Sequence, residues 1–221
     1  MVQGDGDVTR RMREDWDRRA RENARYYINT REHEGFEFGL SGCVSVVYLL
    51  RPIQHLLRHD MRLLEIGCGI GRMMPFFAGL FAEAHGIDIS PSMVEQGRAR
   101  LGNHPNVHLH LGDGRSLAGL PDHWFDVVVS FEVFQHVPDR EVIADYVHEA
   151  FRVLKPGGIA RFLVKTKRWD GQGEQHDTWC GVELGREDLD AWLRRDPWRL
   201  EAAHDSDDPS KAWVLLSKPA G

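Results

Sequence analysis

The stretch Leu63-Leu64-Glu65-Ile66-Gly67-Cys68-Gly69-Ile70-Gly71 decides the fold. It reads as a short apolar strand that ends in an acid and three alternating glycines, with a helical pattern from Arg72 on. A strand–glycine turn–helix unit lets backbone N–H groups approach a ligand where side chains would block the way. Dinucleotide-binding chains use a related loop, so the segment alone leaves the ligand open. Two details narrow it. Counting from Gly67 and Gly69, the third glycine of the dinucleotide fingerprint falls on Arg72, whose long cationic side chain does not suit close helix–strand packing. Glu65 sits at the strand end, where a carboxylate repels a pyrophosphate and suits a ligand with a cationic end.

Four segments downstream repeat the strand-end theme. Gly86-Ile87-Asp88 ends the next strand, Gly112-Asp113 follows the third, Phe125-Asp126-Val127-Val128-Val129-Ser130 forms the fourth, and Leu154-Lys155-Pro156-Gly157-Gly158 precedes the fifth. In that order the set closely resembles the class I S-adenosylmethionine-dependent methyltransferases, strongly from Arg62 to Thr166 and more weakly on the flanks. The resemblance implies an α/β, Rossmann-like, doubly wound sheet of seven strands, mostly parallel with an antiparallel C-terminal strand, preceded by N-terminal cap helices. It implies S-adenosyl-L-methionine as methyl donor, S-adenosyl-L-homocysteine as product, and a small-molecule acceptor.

The pattern of elements agrees. Residues 1–60 read as a tail and cap helices, and residues 61–221 as the methyltransferase core, in one compact domain overall. The tail runs to about residue 9. A charged helix follows from about Arg10 to Asn29, with Trp16, Ala20, Ala24 and Tyr27 at helical spacing. Glu34 to Gly42 reads as a loop, and Cys43 to His59 as a second helix that Pro52 kinks or splits. In the core, strands Arg62–Ile66, Ala84–Asp88, Val107–Leu111, Phe125–Ser130 and Ile159–Thr166 alternate with helices at about Arg72–Glu83, from Ser90, and at Arg140–Leu154. Such alternation predicts a mostly parallel sheet with right-handed crossovers. A long connection from Lys167 to Gly185 precedes a helix at Arg186–Arg195 and two strands, Trp198–His204 and Ala212–Ser217.

Ligands of open parallel sheets bind beyond the C-terminal strand ends. The main chain of Gly67, Cys68, Gly69 and Gly71 would approach the methionine and ribose portions of the donor, with Glu65 toward its cationic groups. Asp88 would accept hydrogen bonds from the ribose diol, or serve as a helix-start acid before Ser90. By resemblance, Asp113 with Gly114 would accept from the adenine amino group, and the main chain of Ser130 and Phe131 would face the methionine end. Ile89 and Met93 would supply apolar contacts to adenine. Tyr27 or Tyr26 would close over the donor or pack in the core. Many small-molecule members carry a histidine where His136 stands; it would take a proton from the acceptor or only pack beside the helix start, and Glu132 is a second base candidate. Trp169, His176 and Trp179 in the long connection would wall the acceptor side, which suits an aromatic or apolar acceptor. No Asn/Asp-Pro-Pro-Tyr/Phe motif follows the fourth strand, which argues against exocyclic amines of bases and glutamine amides as acceptors. A methyltransferase acting on RNA or protein, and a non-catalytic donor-binding protein, are the alternatives.

Composition bounds the rest. The chain has 221 residues and a formal charge of −6, with no dense basic block, which argues against nonspecific binding of nucleic acid or of an anionic membrane. The three cysteines, Cys43, Cys68 and Cys180, form neither a disulfide framework nor a zinc pattern and read as reduced thiols in a cytoplasm. His108 and His110 fall on one face of their strand and read as a solvated rim, so no metal site is expected. Met1 to Asp7 lacks the apolar core of a signal peptide, and no apolar run is expected to approach spanning length.

Overall fold

The computed structural model describes residues 5–31, 33–166 and 178–221. Most of the long connection, with Trp169 and His176, therefore lies outside the described residues. Seven strands occur in the order β3-β2-β1-β4-β5-β7-β6. They are β1 (Arg62–Ile66), β2 (Glu83–Asp88), β3 (Val107–Leu111), β4 (Phe125–Ser130), β5 (Leu154–Lys165), β6 (Arg199–Asp205) and β7 (Lys211–Ser217). Pairing is parallel for β1–β2, β2–β3 and β4–β5, and antiparallel for β5–β7 and β6–β7. The helices are α1 (Asp5–Ile28), α2 (Gly35–Leu50), α3 (Met74–Leu80), α4 (Pro91–Arg100), α5 (Arg140–Val153) and α6 (Arg186–Arg195). This is the Rossmann-like arrangement, with near-continuous apolar runs in the central strands because both faces are covered.

Two compact units divide the chain, residues 13–112 and residues 113–221 with 1–12. In the first, α1 packs through Ala20 and Ala24 on Phe38, Ile70 and Met93, with Trp16 and Ile28 at the edges. The stripe ends on Ile28 rather than on Tyr27. Asn23 has non-helical backbone angles (φ −167°, ψ 87°), which interrupt the helix and shift which later residues turn inward. The helix also begins at Asp5, earlier than the sequence suggests.

Helix α2 departs most from expectation. The segment Glu34 to Gly42, read as a loop, forms its first turns from Gly35 onward. Tertiary packing explains the glycine at position 42: a Cβ there would lie 2.6 Å from the carbonyl oxygen of Arg72. The Arg72 guanidinium reaches back to the same helix, its Nη1 donating to Ser41 Oγ (3.2 Å) and Ser45 Oγ (3.0 Å). Pro52 ends the α-helix by entering a 3-10 turn, Arg51–Leu56. Contrary to the sequence reading, Gly35–Leu56 is a 22-residue stretch long and apolar enough to cross a bilayer by length and composition. Phe38, Val46, Leu49, Leu50 and Ile53 on it are buried, whereas Phe36, Leu40, Val44 and Val47 face outward.

In the second unit α5 buries Val142, Ile143, Tyr146, Val147, Ala150 and Val153, one continuous helical stripe. Burying such side chains contributes about 1.5–3 kcal/mol each. Strand β5 starts at Leu154, five residues before the expected Ile159, because Leu154 pairs with Phe125 ahead of a bulge. Strand β7 inserts between β5 and β6 rather than lying outside β6.

Candidate active site

In the unit of residues 13–112 the glycine loop is shaped by three left-handed residues, Gly67 (φ 76°), Gly69 (φ 54°) and Gly71 (φ 71°). Side chains rarely adopt that conformation, which is why the loop alternates glycine. At Gly69 a Cβ would also meet Ile28 Cδ1 at 2.8 Å. Gly67 N–H and Cys68 N–H both donate to Ile87 O, at 2.8 and 3.1 Å. Asp88 holds the loop from the next strand: Gly69 N–H donates to its Oδ2 (2.8 Å) and Ser90 N–H to its Oδ1 (2.9 Å). Burial pushes the Asp88 carboxyl up against the lowering effect of these bonds. Cys68 packs its thiol inward, and burial raises it well above the ordinary thiol range, so it offers main chain and no thiolate.

Glu65 is buried at the end of β1, and its Oε2 makes no hydrogen bond among the described residues. Burial pushes its carboxyl up to about 8, against the Arg72 guanidinium, which pulls it down, and with the Asp88 carboxylate, which pushes it further up. A buried carboxylate oxygen without a partner is costly unless a cation or donor meets it. The residues therefore fit the cationic methionine end of S-adenosylmethionine, which would satisfy Glu65, and a backbone cradle that admits no Cβ at Gly69.

The neighbours are placed as follows. Ser90 caps α4, accepting from Met93 N–H (3.1 Å) and donating to Asp17 Oδ1 of α1 (3.0 Å). Met93 is fully buried in the α1 cluster, and Ile89 is half-buried beside Asp88. Tyr27 donates its hydroxyl to Glu22 Oε2 (2.9 Å), and Ile28 is the side chain over Gly69. The sequence pointed to α1 as a cover for the loop but one residue off, because the break at Asn23 has no signal in the helical period.

The unit containing residues 113–221 holds the other candidates. Asp113 accepts from Arg115 N–H (2.8 Å), Ser116 N–H (2.6 Å) and Ser116 Oγ (2.6 Å), so it closes a turn in which Gly114 is left-handed (φ 91°). Burial acts to raise its carboxyl, but those Ser116 and Arg115 bonds hold it below the usual range. Ser130 is fully buried at the end of β4, and Phe131 stacks on Trp213 with ring centroids 5.9 Å apart.

Beyond them lies a connected polar chain. Lys211 Nζ donates to Glu132 Oε1 (2.9 Å) and Oε2 (2.7 Å), and Gln135 Nε2 donates to Glu132 Oε2 (2.6 Å). Gln135 Nε2 also lies 3.1 Å from His136 Nε2, and His136 Nδ1 lies 2.6 Å from Trp179 O. A carbonyl only accepts, so His136 Nδ1 carries the proton and Nε2 keeps the lone pair. Trp179 is fixed there by backbone pairing: Gly181 N–H donates to Gln135 O (2.8 Å) and Val182 N–H to Val137 O (3.0 Å). Both Glu132 oxygens are thus engaged, and Glu132 takes a left-handed backbone (φ 59°), so the structure uses it to align Gln135 rather than to offer an open base. The sequence missed Lys211 and Gln135 in this chain. Lys211 is 79 positions from Glu132, and no local spacing could connect them.

Comparison with known proteins fits this geometry. Residues 64–162 match the family described as a methyltransferase domain. A probable S-adenosylmethionine-dependent methyltransferase of Mycolicibacterium smegmatis is 41% identical over 103 residues, covering 47% of this chain and 37% of that protein. A ubiquinone biosynthesis O-methyltransferase of Xanthomonas oryzae pv. oryzae is 34% identical over 98 residues, covering 44% of this chain and 40% of its own length. The chain thus matches well under half the length of these curated relatives. Phosphoethanolamine N-methyltransferase 1 of Haemonchus contortus, solved with phosphoethanolamine and S-adenosylhomocysteine, shares the fold: TM-score 0.71 at 14% identity, over 97% of this chain and 49% of that one.

Fold, loop and matches together define a Rossmann-like class I methyltransferase domain. Residues 64–162 carry the methyltransferase-domain match, and S-adenosylmethionine is the cofactor of that kind of domain.

Proposed function

We propose that this protein transfers a methyl group from S-adenosylmethionine to an oxygen or nitrogen of a small aromatic or apolar acceptor, with His136 taking the acceptor's proton. The observation that carries the base assignment is the tautomer. Trp179 O accepts from His136 Nδ1–H, so the lone pair is on Nε2, where Gln135 Nε2 donates to it and must yield to the acceptor's proton. When bound, S-adenosylmethionine supplies an electrophilic methyl group on a sulfonium centre. Glu65 neutralises a cationic end, the Gly67–Gly71 main chain seats the ligand, and Asp88 has lone pairs left on both oxygens for a diol. Gln135 and Lys211 hold the His136 ring through Glu132, so they are positioning residues. The relatives' names favour small acceptors, among them the quinone-type O-methyltransferase. Three free thiols suit a reducing compartment such as the cytoplasm.

The test begins with a screen of phenol, quinol and amine acceptors, followed by release of S-adenosylhomocysteine. With an acceptor in hand, His136→Ala should lower turnover by roughly 10²-fold or more while donor affinity stays constant. Trp179→Ala should raise the acceptor's apparent Michaelis constant more than it lowers turnover. Full turnover in His136→Ala would remove the base assignment and leave the donor site untouched.

A further inference from the structure

We propose that Glu83, His85 and His108 form a site for a zinc-class divalent cation on one face of β2 and β3, with His110 as the outer partner that orients His85. The parallel register sets His85 beside His108 and Ile87 beside His110. Glu83 precedes His85 by two residues, and His110 follows His108 by two, so strand alternation puts all four side chains on one face. One ligand atom from each of Glu83, His85 and His108 lies within 4.8 Å of the others. Two ligands of a tetrahedral zinc ion stand about 3.4 Å apart at bond lengths near 2.1 Å. Closing the set draws the ligand atoms together by up to about 1.4 Å, and the His108 ring, which reaches solvent, already lies against His85 with ring centroids 4.6 Å apart.

The surrounding hydrogen bonds supply what a metal ligand needs. His85 Nε2 lies 3.0 Å from Glu83 Oε2, and His85 Nδ1 lies 3.0 Å from His110 Nε2. A carboxylate accepts, so without a cation the His85 proton is on Nε2, and His110 Nε2–H donates to His85 Nδ1. A cation on His85 Nε2 moves that proton to Nδ1, which then donates to His110 Nε2, and His110 carries its own proton on Nδ1. Both rings change tautomer and no net proton is lost. A ligating histidine whose second nitrogen donates to a fixed neighbour is the usual outer-shell arrangement. Glu83 is likewise oriented: its Oε1 pairs with Arg62 Nε at 3.0 Å, leaving Oε2 to the cation. The Arg62 charge weakens the site without blocking it. Two imidazoles and one carboxylate suit Zn²⁺, Co²⁺, Ni²⁺ or Cu²⁺, with water completing the shell.

His85 stands three residues before Asp88 on β2, about 10 Å along the strand at ~3.3 Å per residue. The cation therefore has no part in methyl transfer. It would clip β3, the terminal strand in the sheet order, to β2.

The experiment titrates the full chain, freed of metal by chelator, with Co²⁺ and follows the visible d–d bands, then displaces Co²⁺ with Zn²⁺. One equivalent should bind. His108→Ala, which removes a solvent-facing side chain, and Glu83→Gln should each weaken binding tenfold or more. His110→Ala should weaken it by roughly 10- to 100-fold through loss of the outer partner. His104→Ala should leave it unchanged. Zn²⁺ should raise the melting temperature of the wild-type chain and not that of His108→Ala, with circular dichroism confirming that each variant is folded. Absence of Co²⁺ bands in the wild type overturns the proposal. So does binding of unchanged affinity in both His108→Ala and Glu83→Gln.

Discussion

Glu65 is the residue whose chemistry the fold changes most. In the folded chain its carboxyl sits at about 8 against an ordinary value of 4.5, chiefly through burial. A carboxyl raised on folding favours the protonated fold. Its contribution to stability is full below about 4.5 and is lost as pH rises toward 8, and Asp88, also raised, acts in the same direction. Without donor, the protein should therefore lose stability over that window, and Glu65→Gln should flatten the slope; a melting series at fixed ionic strength reads it directly. Donor binding should run the other way. An ammonium group prefers the ionised carboxylate, so affinity for S-adenosylhomocysteine should climb with pH to near 8. It should decline only at higher pH, where the ligand's own α-amino group loses its charge. Calorimetry in the same pH series decides it, and a pH-independent dissociation constant would separate Glu65 from the ligand. Asp88→Ala should weaken donor binding by about 5- to 150-fold, the equivalent of roughly 1–3 kcal/mol. It should also lower the melting temperature, because Gly69 N–H loses its acceptor. The second effect was invisible in sequence. Asp88 at a strand end is legible, but a bond from its side chain to a loop 19 positions away is not.

Elements were legible where period and punctuation agree. Ser90-Pro91 marks the start of α4 because serine can accept from the helix's free N–H groups and proline has none to lose. Strands β1, β3 and β4 are short apolar runs bounded by turn residues, and their limits follow. Helix α2 was half-missed because Gly35, Gly39 and Gly42 speak for a loop locally, while the close backbone approach that position 42 requires comes from tertiary structure. The polar links between elements were also hidden. Ser90 does double duty: it caps α4 and donates to Asp17, which also accepts from Ser92 N–H at 2.8 Å. Burial acts to raise the Asp17 carboxyl, yet the Ser92 and Ser90 bonds hold it below its usual value. Ser90→Ala should thus cost about 0.5–2 kcal/mol for the cap and also remove one of the bonds that tie Asp17 of α1 to α4. Ser90→Asp restores a capping acceptor but sets a second carboxylate against Asp17. Chemical denaturation should rank wild type above Ser90→Ala, with Ser90→Asp no better than alanine. An aspartate variant as stable as wild type would show that Asp17 holds nothing at this helix start.

At the scale of the whole molecule the alternation of strands and helices gives the fold class, and the loop after β1 gives the ligand class, because both are local patterns repeated in order. Strand order is less accessible. A C-terminal pair of strands is plain in the sequence, yet nothing local says that β7 pairs with β5 while β6 takes the outside. The polar chain around His136 is less accessible still, since Lys211, Gln135 and Trp179 come to it from distant segments. The apolar helical stretch Gly35–Leu56 raises a question of the same scale, because length and composition alone fit both a core helix and a membrane span. Its two faces separate the readings. Leu49 and Ile53 are fully buried, whereas Val44 and Val47 are 61% and 54% exposed. As a core helix, it should lose about 2–5 kcal/mol of folding stability on Leu49→Ala, since a cavity forms. Val44→Lys combined with Val47→Lys should change stability by no more than about 0.5 kcal/mol, as outward substitutions do. In a spanning helix each lysine would instead cost about 2.5–3.5 kcal/mol of insertion. Urea unfolding of the three proteins, with a vesicle flotation assay on the wild type and the double lysine variant, distinguishes the two. Flotation of the wild type that the lysines abolish would overturn the core-helix assignment.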